Sequence, residues 1–178
     1  MNIFGVDIGG TGIKAAIVNT LTGELISEHK RIATPKPATP ENIARCLAEL
    51  IRETGWTGPV GCGFPATVHH GVAYSASNID PSWINTDAQS LFSQVTDCPC
   101  FVVNDADAAG MAEMRFGAGG EKSGVTLLLT IGTGIGSAVF VNGELHPNTE
   151  LGHLKFAGSI AERYCAESTR ITQQLSWQ

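Results

Sequence analysis

Apolar and polar positions alternate through the first thirty residues, in runs at 3–8, 13–18 and 25–31 divided by Gly9-Gly10-Thr11-Gly12 and by residues 19–23. A period of two over runs this short predicts strands, and the turns between them predict a three-stranded antiparallel meander. The pattern then changes. Thr34-Pro35-Lys36-Pro37-Ala38-Thr39-Pro40 reads as a stiff connector, and Ile43, Leu47, Leu50 and Ile51 recur behind it at helical spacing. Thr39 suits the N-cap of that helix, Pro40 its first position and Gly55 its end. Apolar runs at Val60–Phe64 and 101–104 predict buried strands, while 87–95 and 107–116 predict helices. Strands followed by covering helices predict an α/β fold.

Gly117-Ala118-Gly119-Gly120 breaks this order, and residues 124–141 return to strand, glycine-rich turn and strand, with Asn142-Gly143 suited to another tight turn. A boundary here divides the chain into domains 1–123 and 124–178. Both domains open in the same way. Asp7-Ile8-Gly9-Gly10-Thr11-Gly12-Ile13-Lys14-Ala15-Ala16 matches Thr130-Ile131-Gly132-Thr133-Gly134-Ile135-Gly136-Ser137-Ala138 with one deletion, so that Ile8 falls on Ile131, Thr11 on Thr133 and Gly12 on Gly134. An internal repeat of this kind predicts a duplicated domain. Beyond the second hairpin, a loop around Glu150 leads into a single predicted helix at 160–175.

Composition narrows the partners. With 178 residues, 43% of them apolar, the chain can bury a real core, and 21 glycines mark several sites where backbone must lie bare. Lys and Arg number 11 against 17 Asp and Glu, a net charge of −6, and no stretch gathers the basic residues, so nucleic acid is not an expected partner. The N-terminal residues lack the charge and apolar run of a signal peptide, and no apolar run reaches membrane-spanning length. A cytoplasmic location and no membrane partner are expected. Cys46, Cys62, Cys98, Cys100 and Cys165 are odd in number and contain no CxxC pair, which fits a reducing compartment better than a disulfide framework or zinc ribbon.

The two glycine turns carry the chemistry. Glycines let backbone approach a ligand with its N–H groups aimed inward, and a threonine hydroxyl adds a donor, which together suit phosphate oxygens. Two such turns can grip one phosphate chain from both sides. Neither is a Walker A loop, because Lys14 follows Ile13 and leads into an alternating strand rather than a helix; a dinucleotide fingerprint fails for the same reason. At the second strand end, Asp105 stands where ligands of open α/β sheets bind and is either a proton acceptor or, like Asp107, a helix cap.

Asp7-Ile8-Gly9-Gly10-Thr11-Gly12-Ile13-Lys14, Val103-Asn104-Asp105-Ala106-Asp107 and the segment 129–136 resemble the two phosphate motifs and the base-carrying segment of the actin and hexokinase superfamily. Glu150-Leu151-Gly152-His153 narrows the resemblance to the ROK sugar kinases. Within these, Gly63-Phe64-Pro65, Ala76-Ser77-Asn78-Ile79-Asp80 and Pro147-Asn148-Thr149-Glu150 are most similar to the polyphosphate glucokinases. The resemblance covers the whole chain. It implies a duplicated actin/hexokinase-like, ribonuclease H-like fold and transfer of a phosphoryl group from polyphosphate or ATP to the 6-hydroxyl of glucose, with Mg2+ as cofactor. Asp105 is then the base. Asp7, Gly9, Gly10, Thr11, Gly12, Lys14, Gly132, Thr133, Gly134 and Gly136 hold donor phosphates, and Asp7 orients the metal through water. Asn78, Asn104, Asp105, Glu150 and His153 contact the sugar. Glu162 is a further glucose contact by the same resemblance, although Ala161-Glu162-Arg163 reads as part of an exposed helix.

Many ROK proteins follow the histidine with a cysteine-rich zinc site, and with only Cys165 in that region no structural zinc is expected. Trp83 either closes the sugar cleft or packs in the core. The second domain is short against the family, which continues with nucleotide-side helices and a returning C-terminal helix, so truncation is expected, and with it an exposed apolar edge and altered dimer contacts. Kinases for mannose or fructose and a non-catalytic sugar-binding protein are the competing readings; a ROK repressor is disfavoured because the first strand begins at Ile3.

Overall fold

The computed structural model describes residues 1–120 and 123–176; residues 121, 122, 177 and 178, at the ends of the two predicted domains, lie outside the described residues. Two compact units are present, Met1–Ala108 and Ala109–Gln178.

The first unit is built on a five-stranded sheet. Strands β1 (Asn2–Ile8), β2 (Gly12–Asn19) and β3 (Lys30–Ala33) form the expected antiparallel meander, and β4 (Val60–Phe64) adds to β1 in parallel. Between β1 and β4 the chain crosses over through α1 (Pro40–Thr54). Thr39 caps α1 by accepting the Asn42 N–H, and Gly55 ends it in the left-handed conformation at φ 64°. After β4 comes a small three-stranded sheet of β5 (Val68–His69), β6 (Val72–Ala73) and β7 (Thr86–Asp87), with a 3-10 turn at Pro81–Trp83. Helix α2 (Ala88–Thr96) starts at Asp87, whose carboxylate accepts the Ser90 N–H and is held below the usual carboxylate range by it. Strand β8 (Cys100–Asn104) then lies parallel to β4, giving the order β3-β2-β1-β4-β8.

One face of this sheet carries the core. Phe4, Val6 and Ile8 of β1, Val60, Cys62 and Phe64 of β4 and Val102 of β8 are buried together with Ile43, Leu47 and Leu50 of α1 and Phe92 of α2. Trp83 belongs to this core: it is fully buried, edge-on to Phe64 at 4.6 Å, and its indole N–H donates to the Ala38 carbonyl at 2.8 Å.

Helix α3 (Asp105–Phe116) follows β8 directly. In the second unit, β9 (Val125–Ile131), β10 (Ile135–Val141) and β11 (Glu144–His146) form an antiparallel sheet in the order β11-β10-β9. A turn at Asn142-Gly143, with φ of 52° and 85°, joins the last two. A 3-10 turn at Leu151–His153, the ribbon of β12 (Lys155–Phe156) and β13 (Ser159–Ile160), and helices α4 (Glu162–Cys165) and α5 (Glu167–Thr172) complete it.

Three expectations are corrected. The third strand lies at Lys30–Ala33, because Leu25 makes only an isolated bridge to Val18 while residues 30 to 33 pair with β2. The helix expected from 107 starts at Asp105, because the Asn104 side chain caps it. The single helix expected at 160–175 is two short helices, because buried Ala166 adopts an extended conformation between them.

Candidate active site

In the first unit the sheet register sets the glycine turn. Ile8 pairs with Ile13, closing β1 onto β2, and the Gly9 N–H donates to the Gly12 carbonyl at 3.0 Å across the turn. Glycine is needed at 10, where a Cβ would stand 2.9 Å from the backbone carbonyl of Asn78. The predicted sugar residue Asn78 is therefore brought against this glycine turn through its backbone, with its side chain exposed. Lys14 pairs its ammonium with Asp7 at 3.2 Å, both groups half-exposed at the sheet surface.

The same register brings Asp7 toward Asp105. Asp7 pairs with Gly63 of β4, and a Cβ on Gly63 would lie 3.4 Å from the Asp105 Cα. The bare glycine lets the first turn of α3 sit down on the strand. Asn104 and Asp105 divide their tasks. Buried Asn104 donates to the Ala66 carbonyl at 3.0 Å and accepts the Asp107 N–H at 3.0 Å, so it anchors β8 and caps α3. Asp105 is the first helical residue and its Oδ1 accepts the Ala106 N–H at 2.9 Å. The capping role weighed for Asp105 and Asp107 falls to Asn104.

The second unit repeats the turn. Ile131 pairs with Ile135 as Ile8 does with Ile13, and the Gly132 N–H donates to the Gly134 carbonyl at 3.0 Å. Gly136 lies in β10 opposite Thr130. The Glu150 loop packs onto this hairpin: Gly152 lies against the Ile135 backbone with no room for a side chain, the Ser137 hydroxyl accepts the Leu151 N–H at 2.9 Å, and Glu150 takes the left-handed conformation at φ 44°. His153 then lies between two carboxylates, with Nδ1 3.5 Å from Glu150 and Nε2 3.5 Å from Glu162.

Glu162 is not on an exposed helix face. Its side chain is 16% exposed, and its Oε2 accepts the Ile135 N–H at 3.1 Å. The helix that reads as solvated is only one turn long, and its first residue reaches back to the second glycine hairpin. Glu150, His153 and Glu162 thus converge, while Asp7, Lys14, Asn104 and Asp105 gather around β1, β4 and the start of α3.

Two residues to which the sequence gives no site role touch these turns. Thr34, buried at the end of β3, donates its hydroxyl to the Gly9 carbonyl, and Ser168 of α5 donates its hydroxyl to the Thr133 carbonyl. Thr34 opens the proline-rich connector, so its sequence context reads as linker; Ser168 lies 35 residues from its partner, with no local signal. The cavity lined by Gly110, Glu113, Met114, Leu127 and Phe140 includes none of the predicted site residues.

Among the described residues no group of three or more His, Cys, Asp or Glu side chains is arranged to hold a metal, and no helix is long and apolar enough to cross a membrane. A single half-exposed carboxylate, Asp7, stands at the first turn. Such a donor set suits a Mg2+ that keeps its waters and arrives with phosphate oxygens, not a cage made by protein alone.

The ROK family pattern matches residues 3–169 of this α/β chain, a span that includes the paired glycine turns, the carboxylate after β8 and the Glu150–His153 loop. The chain belongs to the ROK family. It is 48% identical over 168 residues to a polyphosphate glucokinase of Mycobacterium tuberculosis strain H37Ra, an alignment that covers 94% of this chain and 63% of that protein. Among solved structures, an inorganic polyphosphate/ATP-glucomannokinase of Arthrobacter sp. strain KM superposes with a TM-score of 0.94 at 46% identity, covering 99% of this chain and 73% of that one. A ROK glucokinase of Streptomyces griseus, in complex with glucose and AMPPNP, superposes with a TM-score of 0.85 at 28% identity, covering 97% and 59%. The chain therefore spans less than two thirds of the mycobacterial relative's length.

Proposed function

We propose that this chain carries the phosphoryl-transfer chemistry of a glucokinase, moving a phosphoryl group from polyphosphate or ATP to the 6-hydroxyl of glucose. The observation that carries this reading is the matched pair of glycine turns, closed by the same hydrogen bond, together with a carboxylate set at the helix start after β8. Phosphoryl transfer needs positioning and charge stabilisation more than covalent help, and backbone N–H groups in a turn supply both to phosphate oxygens. Asp105 accepts the proton of the attacking hydroxyl. Lys14 and the turn residues Gly9 to Gly12 and Gly132 to Gly134 hold the donor phosphates.

Glu150 and His153 hold glucose hydroxyls and Glu162 fixes the far side of His153, while Asn104 fixes the strand end and helix start that carry Asp105. Asp7 would hold a Mg2+ through water, and the ion would neutralise charge on the donor phosphates. The close relatives named for polyphosphate and for both donors support this donor pair. Mass spectrometry of the sugar product after incubation with Mg2+, polyphosphate or ATP, and glucose or mannose tests the reading. Glucose 6-phosphate is the expected product. Sugar binding without any phosphorylated product would favour a non-catalytic sugar-binding protein.

A further inference from the structure

In each glycine turn two carbonyls are held by the hydroxyl and backbone N–H of one residue. At the first turn, Thr34 gives its hydroxyl to the Gly9 carbonyl at 2.5 Å and its backbone N–H to the Thr11 carbonyl at 3.4 Å. At the second, Ser168 gives its hydroxyl to the Thr133 carbonyl at 2.6 Å and its backbone N–H to the Gly132 carbonyl at 3.3 Å. The remaining carbonyl of each closing pair, Gly12 or Gly134, accepts an N–H from within its own turn. One residue follows a strand and the other sits in a short helix, yet both engage two carbonyls of one turn through the same two groups.

The consequence follows from the planar trans peptide, in which carbonyl and N–H point in opposite directions. Tying the Gly9 and Thr11 carbonyls to Thr34 aims the N–H groups of Gly10 and Gly12 away from Thr34. Tying those of Gly132 and Thr133 to Ser168 likewise aims the N–H groups of Thr133 and Gly134 away from Ser168. A carbonyl left to rotate toward the donor would instead oppose a phosphate oxygen with partial negative charge.

We propose that Thr34 and Ser168 are positioning residues, one per hairpin, that hold the turn carbonyls away from the donor and so present the turn N–H groups to phosphate. This rests on the phosphoryl-transfer reading above and adds the residues that set the polarity of both turns.

The test uses the full chain and inorganic tripolyphosphate as probe, with Thr34→Val and Ser168→Ala removing a hydroxyl and Thr34→Ser and Ser168→Thr restoring one. Calorimetric titrations with tripolyphosphate and with glucose are run beside thermal melts. Each hydroxyl loss is expected to weaken tripolyphosphate binding roughly tenfold. Glucose affinity should stay within about twofold, and the hydroxyl-bearing variants should recover the parent's tripolyphosphate affinity. Ser168 is exposed, so Ser168→Ala keeps the test decisive if Thr34→Val folds poorly. Unchanged tripolyphosphate binding in Ser168→Ala, or an equal loss of glucose binding, overturns the inference. A folded parent that binds no tripolyphosphate overturns the phosphoryl-transfer reading itself, and this inference with it.

Discussion

Asn104 and Asp105 are adjacent and chemically similar, yet burial and hydrogen bonding give them different work. Asn104 is 5% exposed with its amide committed to the Ala66 carbonyl and the Asp107 N–H, so its part is to fix the strand end and the helix start. Asp105 is left as the carboxylate at the head of α3. Replacing Asp105 with Asn keeps the shape and an acceptor for the Ala106 N–H but removes the carboxylate proposed above as the proton acceptor. Asp105→Asn is therefore expected to abolish glucose 6-phosphate formation while calorimetry shows glucose affinity nearly unchanged; retention of most of the rate would assign the base elsewhere. Trp83 makes the opposite case. Its full burial against Phe64 and Phe92 assigns it to the core, so Trp83→Ala should lower the unfolding free energy by roughly 3–5 kcal/mol in denaturant titrations. A loss below 1 kcal/mol would show that the site collapses around the gap.

At the scale of elements, the two hairpins share their closing pairs and differ by one residue in the turn, which is why the sequence could align Ile8 with Ile131, Thr11 with Thr133 and Gly12 with Gly134. Thr11 and Thr133 sit exposed at the two tips. Thr11→Val and Thr133→Val each remove one hydroxyl at nearly constant shape, and losing a hydrogen bond to a charged phosphate costs roughly 1.5–3 kcal/mol. Donor KM or kcat/KM should worsen accordingly with glucose KM unmoved, and a loss confined to glucose would contradict a phosphate role for the turns. Helix α1 was equally legible, because its cap, first-position proline, apolar stripe and terminal glycine agree with one another. What escaped the sequence was set at long range. The break at Ala166 comes from its burial, β3 is placed by pairing with β2 rather than by its own alternation, and Glu162 reads as solvated until the Ile135 N–H is seen beside it. Local pattern carries no record of such partners.

For the molecule as a whole, the second unit sets a limit on solution behaviour. Strand β9 is an edge strand, and Val125, Leu127, Leu129 and Ile131, alternate residues on one side of it, are 49–73% exposed. An open ladder edge flanked by an apolar row is a template for pairing with another chain, and native edges normally avoid it with charge, proline or a bulge. This apolar edge belongs to the strand that leads into the second glycine turn. Self-association through it would distort that turn before it affected the separate core around Phe64 and Leu47. The 178-residue chain is therefore expected to form larger species as its concentration rises, measured by light scattering. Leu127→Lys with Leu129→Lys should suppress them while leaving the circular dichroism spectrum unchanged. If the double variant scattered as strongly as the parent, the contact would lie on another surface, and the β9 row would have to be covered within the molecule.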